Sequence, residues 1–357
     1  MFDRLKAAID ALTGRNANPI PVLPVDPNSP VDPNLPPSPH PVPVPPEKPG
    51  LLRSLVGRVS SAWVAWLITV AVTTVFTWLG FKSPAVPPVP DVPIWQQGWV
   101  SDPDAVDAIK DTLETPLFRD TPAGKTFRGN DDDAPLWKAA IKATGSMLAA
   151  GNQGQVGSCV SFGTGTAIDY LQCVSISQGG NLEYIRTCKE QIYGVSRVQI
   201  GQGRIRGDGS VGAWAAKGVQ EYGVVSRTVQ LDGKYDLREY SESRCRDWGN
   251  RGAPSDLEPI GKKSLVRGIS QVRTADEAIK ALAQGYPIAV CSNQGFSSTR
   301  DGEGFLRASG SWGHCMAVIG YKGGKRPGFL IQNSWGADWL NGPMGSEPIP
   351  DGSFWAD

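Results

Sequence analysis

Histidine is almost missing from this chain: among 357 residues there are two, His40 and His314, and the first lies in a run of prolines. Any imidazole chemistry in a folded domain therefore has one candidate. Cysteine is scarce too, with six residues at 159, 173, 188, 245, 291 and 315 and no C-x-x-C pair among them. That spacing excludes zinc ribbons and thioredoxin-like motifs, and no metal is expected. If one of the six is a free nucleophile, the remaining five cannot all pair within the chain. Net charge is absent, 35 Lys and Arg against 35 Asp and Glu, so no general field draws the protein to nucleic acid, which is not an expected partner. No internal repeat is present, and nothing in the sequence sets an oligomeric state.

What is present falls into five stretches. Residues 1–18 include FDRLKAAIDALT, which places Phe2, Leu5, Ile9 and Leu12 on one stripe of a short amphipathic segment. From 19 to 50 nearly every second residue is proline. Missing amide donors are read as excluding helix and sheet there, so a polyproline II spacer is expected. Between Arg58 and Lys82 there is no charge, and a transmembrane helix is expected at 59–81, with Trp63 and Trp66 toward one interface and Trp78 toward the other. Lys48, Arg53 and Arg58 precede the run, while only Lys82 follows it before Asp91, Asp102 and Asp104. That asymmetry predicts a single-pass protein, N-terminus cytoplasmic and the C-terminal domain on the opposite, periplasmic or extracellular, side. Residues 82–130 read as a second linker with one short helix around Pro103 to Leu113. Residues 131–357 are the globular domain, whose closing SFWAD reads as a strand, with the final edge of the domain shortened or replaced.

Chemistry concentrates at three places in that domain. NQGQVGSCVSFGTGTAIDY, from Asn152, is a Gly-rich loop that leads into a helix at Cys159. A thiolate there would feel the positive end of the helix. Gln153 could donate its side-chain amide beside the Cys159 backbone N–H, two donors of the kind a developing oxyanion needs. Far downstream, His314 opens an apolar, strand-like run, CMAVIGY, and a second strand leads to Asn333. An imidazole that takes the thiol proton and later protonates the leaving amine, held in orientation by Asn333 and screened by Trp335, completes a nucleophilic set.

These residues resemble the papain-like cysteine peptidase family. Gln153 through Cys159 match its Q-G-x-x-G-S-C loop, His314 its His before an apolar strand, and Asn333–Gly336 its Asn-Ser-Trp-Gly letter for letter. The resemblance implies an α+β, two-lobed fold, a helical lobe and a β-barrel-like lobe with the active-site cleft between them. It implies an oxyanion role for Gln153, nucleophile for Cys159, base and acid for His314 and orienter for Asn333, with no cofactor. GDGSVGAWAAKGVQEYGVV (207–225) is similar to the family's cleft-lining segment, which puts Gly209 and Ser210 beside a peptide substrate. Gly207, Gly209 and Gly212 also spell G-x-G-x-x-G, but no strand precedes them and no ribose-binding acid follows. The style of this stretch and of PDGSFWAD is similar to bacterial and bacteriophage members.

The chain departs from the family in having Val156 and Val160 where common members have a disulfide-forming Cys and a Trp, so packing is expected to hold the loop. The family's usual helical propeptide is not legible in residues 1–130. The expected function is hydrolysis of peptide bonds by a membrane-anchored cysteine peptidase through a thioester acyl-enzyme. Two alternatives share the sequence: an amidase or transpeptidase-like activity on cell-wall peptide, and a catalytically silent structural component, as of a virus particle.

Overall fold

Nineteen residues, Cys159–Ser177, form a helix buried nearly all round, and the site is organised about it. Its small residues explain its central place. A Cβ on Gly163 would stand 2.9 Å from the Cys315 sulfur, so only glycine lets the helix approach the sheet this closely. The computed structural model describes residues 20–22, 98–110, 115–126, 133–231 and 233–357. Internal contacts divide the chain into one body of residues 1–29 and 91–357 and another of 30–90. The amphipathic segment at 1–18 and the apolar span at 59–81 lie outside the described residues. Among those described, no helix is long and apolar enough to cross a membrane.

In chain order the helices are α1 (Pro103–Lys110), α2 (Pro122–Thr126), α3 (Leu136–Thr144), α4 (Cys159–Ser177), α5 (Lys189–Gly194), α6 (Gly212–Glu221), α7 (Glu242–Arg251), α8 (Glu258–Gly261) and α9 (Ala275–Ala283). The strands are β1 (Ile20–Val22), β2 (Ala134–Pro135), β3 (Gln230–Leu231), β4 (Tyr235–Asp236), β5 (Ser270–Val272), β6 (Ile288–Phe296), β7 (Ala308–Lys322), β8 (Gly328–Gln332) and β9 (Ser353–Ala356). β3 and β4 form a small ribbon, and the others an antiparallel sheet in the order β5-β1-β6-β7-β8-β9, with β2 on β7. The expected fold class, α+β with a helical and a β lobe, is the one formed.

The strand after His314 has no polar alternation because both its faces are covered. Cys315 faces the core around α4 and α6, Ala317 and Ile319 pack with Trp137 and Tyr170, and Met316 and Val318 join the core with α9. SFWAD forms β9 on β8, as its sequence suggests.

Two expectations need correction. Ile20–Val22, inside the proline-rich spacer, is a strand: it pairs with Ser270–Val272 and, through Val22, with Ile288. Proline removes only its own donor and holds a φ compatible with extended chain, so Ile20 and Val22 can still bond on either side of Pro21. The linker read over 82–130 is, from Gly98 onward, largely part of the domain. Trp99, Ala105 and Ile109 enter the helical core and Phe118 the core of the β lobe. The helix expected around Pro103 to Leu113 is present as α1, and its Ala105 and Ile109 face the domain rather than solvent.

Candidate active site

The loop before α4 is stitched to the segment after β8 by main-chain bonds. Gln153 N donates to Ser334 O, Gly336 N donates to Gly151 O, and Asn152 and Trp335 form an antiparallel bridge. This is how the two sequence motifs meet, although they lie at opposite ends of the domain. Val156, wholly buried, packs with Tyr193, Cys245 and Tyr240, so packing does hold the loop. Tyr240 also donates its hydroxyl to Gln153 O, at 3.0 Å. The turn carrying Tyr240 is fixed by buried Glu190, which accepts from Ser241 N and pairs with Arg227 and Arg244.

Cys159 opens α4, the position at which the helix dipole acts. At this sulfur burial outweighs the helix end. Burial pushes the thiol well above its usual range, nearby Cys291 adds to this, and the amides of Cys315, Val160 and Cys159 itself only partly offset it. The reason is one of magnitude: a helix N-terminus contributes about 0.3–2 kcal/mol, less than the desolvation of a fully buried charge, which shifts a pKa by up to roughly 3–5 units.

His314 is buried on β7, and its Nε2 lies 2.7 Å from Asn333 Oδ1. Asn333 Oδ1 also accepts from Ser334 N, which fixes the amide plane. His314 Nδ1 is buried with no hydrogen-bond partner among the described residues. Burial lowers the imidazole to about 4, against the upward pull of Asn333. Trp335 lies against the ring, centroids 4.7 Å apart, and continues into Trp312 and Trp339. The Cys159 sulfur, in turn, is faced by the amide of Cys315, the residue next to His314. Sulfur and imidazole thus flank the same short piece of β7.

Gln153 is buried, with Nε2 donating to Val156 O at 2.9 Å and Oε1 accepting from Ser334 Oγ at 2.7 Å. Gly209 has φ of 114°, which suits glycine. Its N–H donates to Tyr193 Oη, and its carbonyl accepts from Arg197.

Four further residues at the candidate site were not singled out from the sequence. Arg197, almost fully buried, spreads its guanidinium over the carbonyls of Gly249, Gly209, Ile205 and Gly207 and so shapes the wall that carries Ser210. Asp208 accepts from Gly157 N and ties that wall to the loop before Cys159. Trp99 and Gly98 are the others. Both their amides donate to Gly313 O, the carbonyl just before His314. Ser210 N donates to Gly98 O, and Val100 N donates to Ser210 O, a parallel bridge. Residues 98–100 therefore lie extended from the Ser210 wall to the strand of His314. A Cβ on Gly98 would fall 2.0 Å from Gly157 O, so the fit requires glycine. An aromatic pair, Trp95 and Trp99, in an otherwise proline-rich tether was the available signal. Among the described residues no His, Cys, Asp and Glu cluster suits a metal ion.

Residues 137–343 match the family model described as papain family cysteine protease. Among solved structures the chain is similar to xylellain, a cysteine protease from Xylella fastidiosa, at 17% identity over 75% of this chain and 87% of that one, TM-score 0.44. It is similar to procathepsin B S9 from Trypanosoma congolense at 12% identity, over 83% of this chain and 92% of that one, TM-score 0.45. A structure described for the mite allergens Blo t 1 and Der p 1 matches at 14% identity, over 84% and 90%, TM-score 0.47. A search of curated protein sequences returns no match.

Proposed function

The chain belongs to the papain family of cysteine proteases, and from that premise we propose that it hydrolyses peptide bonds through Cys159, His314 and Asn333 as a membrane-anchored enzyme. The observation that carries the reading is the oriented imidazole: Nε2 is taken by Asn333 and Nδ1 is left without a partner beside the residue that faces the Cys159 sulfur. In this reading Nδ1 takes the Cys159 proton, and the two charges form together because burial disfavours either one alone. The thiolate attacks the scissile carbonyl. The oxyanion is met by the Cys159 N–H and the Gln153 carboxamide. His314 returns the proton to the leaving amine, a thioester remains, and water activated by the same imidazole releases the acid. Trp335 screens the His314–Asn333 bond from water.

The substrate is an extended peptide held by its backbone at Ser210 and Gly313, the two stations now taken by residues 98–100. That segment must leave before a substrate enters. The anchor is residues 59–81, with the N-terminus cytoplasmic and the peptidase domain on the opposite face; the uncharged run and its basic N-terminal flank support this. The same sequence style supports a bacterial or bacteriophage origin.

An epoxide probe for reactive thiols tests the chemistry. It is expected to label Cys159 in the Gly98→Val protein, whose segment can no longer lie on Gly157, and labelling is expected to fall at least about a hundredfold on His314→Ala. Folded protein that stays unlabelled would favour a silent structural role. Protease protection in intact cells tests the topology, and a cytoplasmic peptidase domain would overturn the proposed orientation.

A further inference from the structure

Two thiols beside this machinery have no part in the proposed reaction. Cys291 on β6 and Cys315 on β7 stand directly opposite one another in the antiparallel ladder, with their sulfurs 2.8 Å apart. Opposed residues on such strands have Cα atoms about 4.5–5.5 Å apart, inside the roughly 4.4–6.8 Å that a disulfide spans. An S–S bond is about 2.05 Å long, so closure asks the sulfurs to move by less than about 1 Å.

The surroundings leave room for this sulfur pair and for little else. A Cβ on Gly163 of α4 would sit 2.9 Å from the Cys315 sulfur, and a Cβ on Gly212 of α6 would sit 3.0 Å from the Cys291 sulfur. Two different helices thus lack a side chain where the two sulfurs lie, although glycine weakens a helix. Access is unequal: Cys315 is fully buried and Cys291 only partly. A reagent from solution therefore meets Cys291 first.

We propose that Cys291 and Cys315 are a thiol-oxidation site that closes to a reversible cross-strand disulfide by exchange with a low-molecular-weight disulfide. The Cys291 thiolate attacks one sulfur of R–S–S–R, giving a mixed disulfide and R–S⁻, which leaves as RSH with the Cys291 proton. The Cys315 thiolate then attacks the Cys291 sulfur, forms the cross-strand bond and releases a second RSH with its own proton. Two protein S–H groups are oxidised and one reagent S–S bond is reduced, so electrons and protons balance. The bond fastens β7 to β6 at the residue next to His314, whose amide faces the nucleophile.

The test uses the full-length protein in detergent, equilibrated with oxidised glutathione or with a phosphine reductant, then unfolded in acid, alkylated with iodoacetamide and digested. The oxidised sample is expected to contain the peptides of Cys291 and Cys315 joined, unalkylated and lighter by two hydrogen atoms, and to melt several degrees above the reduced sample. Cys291→Ser is expected to lose both the joined species and the oxidation-dependent shift. In Cys315→Ser a glutathione adduct is expected to persist on Cys291, trapping the first step. Alkylation of both Cys291 and Cys315 in the oxidised sample, or a link from Cys291 to Cys159, would overturn the proposal. The readout is a mass and needs no peptidase activity, so it fails or succeeds independently of the proposed function.

Discussion

His314 shows how burial governs a single residue. Taken out of water, its imidazole protonates only near about 4 rather than 6.5, because a lone charge in that place lacks solvent. The unfolded chain, in contrast, takes up the proton at its ordinary value. Between those two pH values the unfolded state binds more protons, so stability contributed by this residue is present above about 6.5 and is lost as pH falls toward about 4. The loss amounts to roughly 3 kcal/mol, at about 1.36 kcal/mol for each unit. Melting the wild type and His314→Gln from pH 7 to pH 4 checks this, and the variant is expected to show the shallower decline. A parallel decline in both would place the acid sensitivity elsewhere.

At the scale of elements, α4 against β7 decides whether nucleophile and imidazole can meet. Their contact depends on Gly163, where an added Cβ would come within 2.9 Å of Cys315 Sγ and 3.1 Å of the Met316 amide. Gly163→Ala gains about 1 kcal/mol of helix propensity but overpacks a site whose nearest atoms include strand backbone, at a cost of about 1–3 kcal/mol. A net loss is therefore expected, visible as a lower urea midpoint with an unchanged slope. A midpoint raised by the substitution would show that the helix does not rest on β7 as described.

For the whole molecule, Gly98 to Val100 occupy the backbone groups of Ser210 and Gly313 that the proposed substrate would use. Tethering makes the hold of Gly98 to Val100 on Ser210 and Gly313 intramolecular, which gives even a weak segment a local concentration of about millimolar. A substrate must compete with it. Gly98→Val, whose side chain would meet Gly157 O, is expected to lower KM for a fluorogenic peptide by about tenfold or more with kcat nearly unchanged, since only competition is relieved. Equal KM in the two proteins would mean that the segment leaves the cleft unaided.

The candidate site residues were legible in the sequence because their chemistry is local. A cysteine opening a helix after a glycine loop, a single histidine before an apolar strand, and Asn-Ser-Trp-Gly each carry their meaning within a few residues. The α+β class followed from the family resemblance that those motifs carry. The tertiary structure alone decided the rest: that Ile20–Val22 pairs within the sheet despite Pro21, that Gly98–Val100 lies on the backbone of Ser210 and Gly313, and that Cys291 faces Cys315. Each of these is a contact through backbone atoms or across strand register, between positions distant in the chain. Backbone groups are the same at every residue, so no side-chain pattern records which of them will meet.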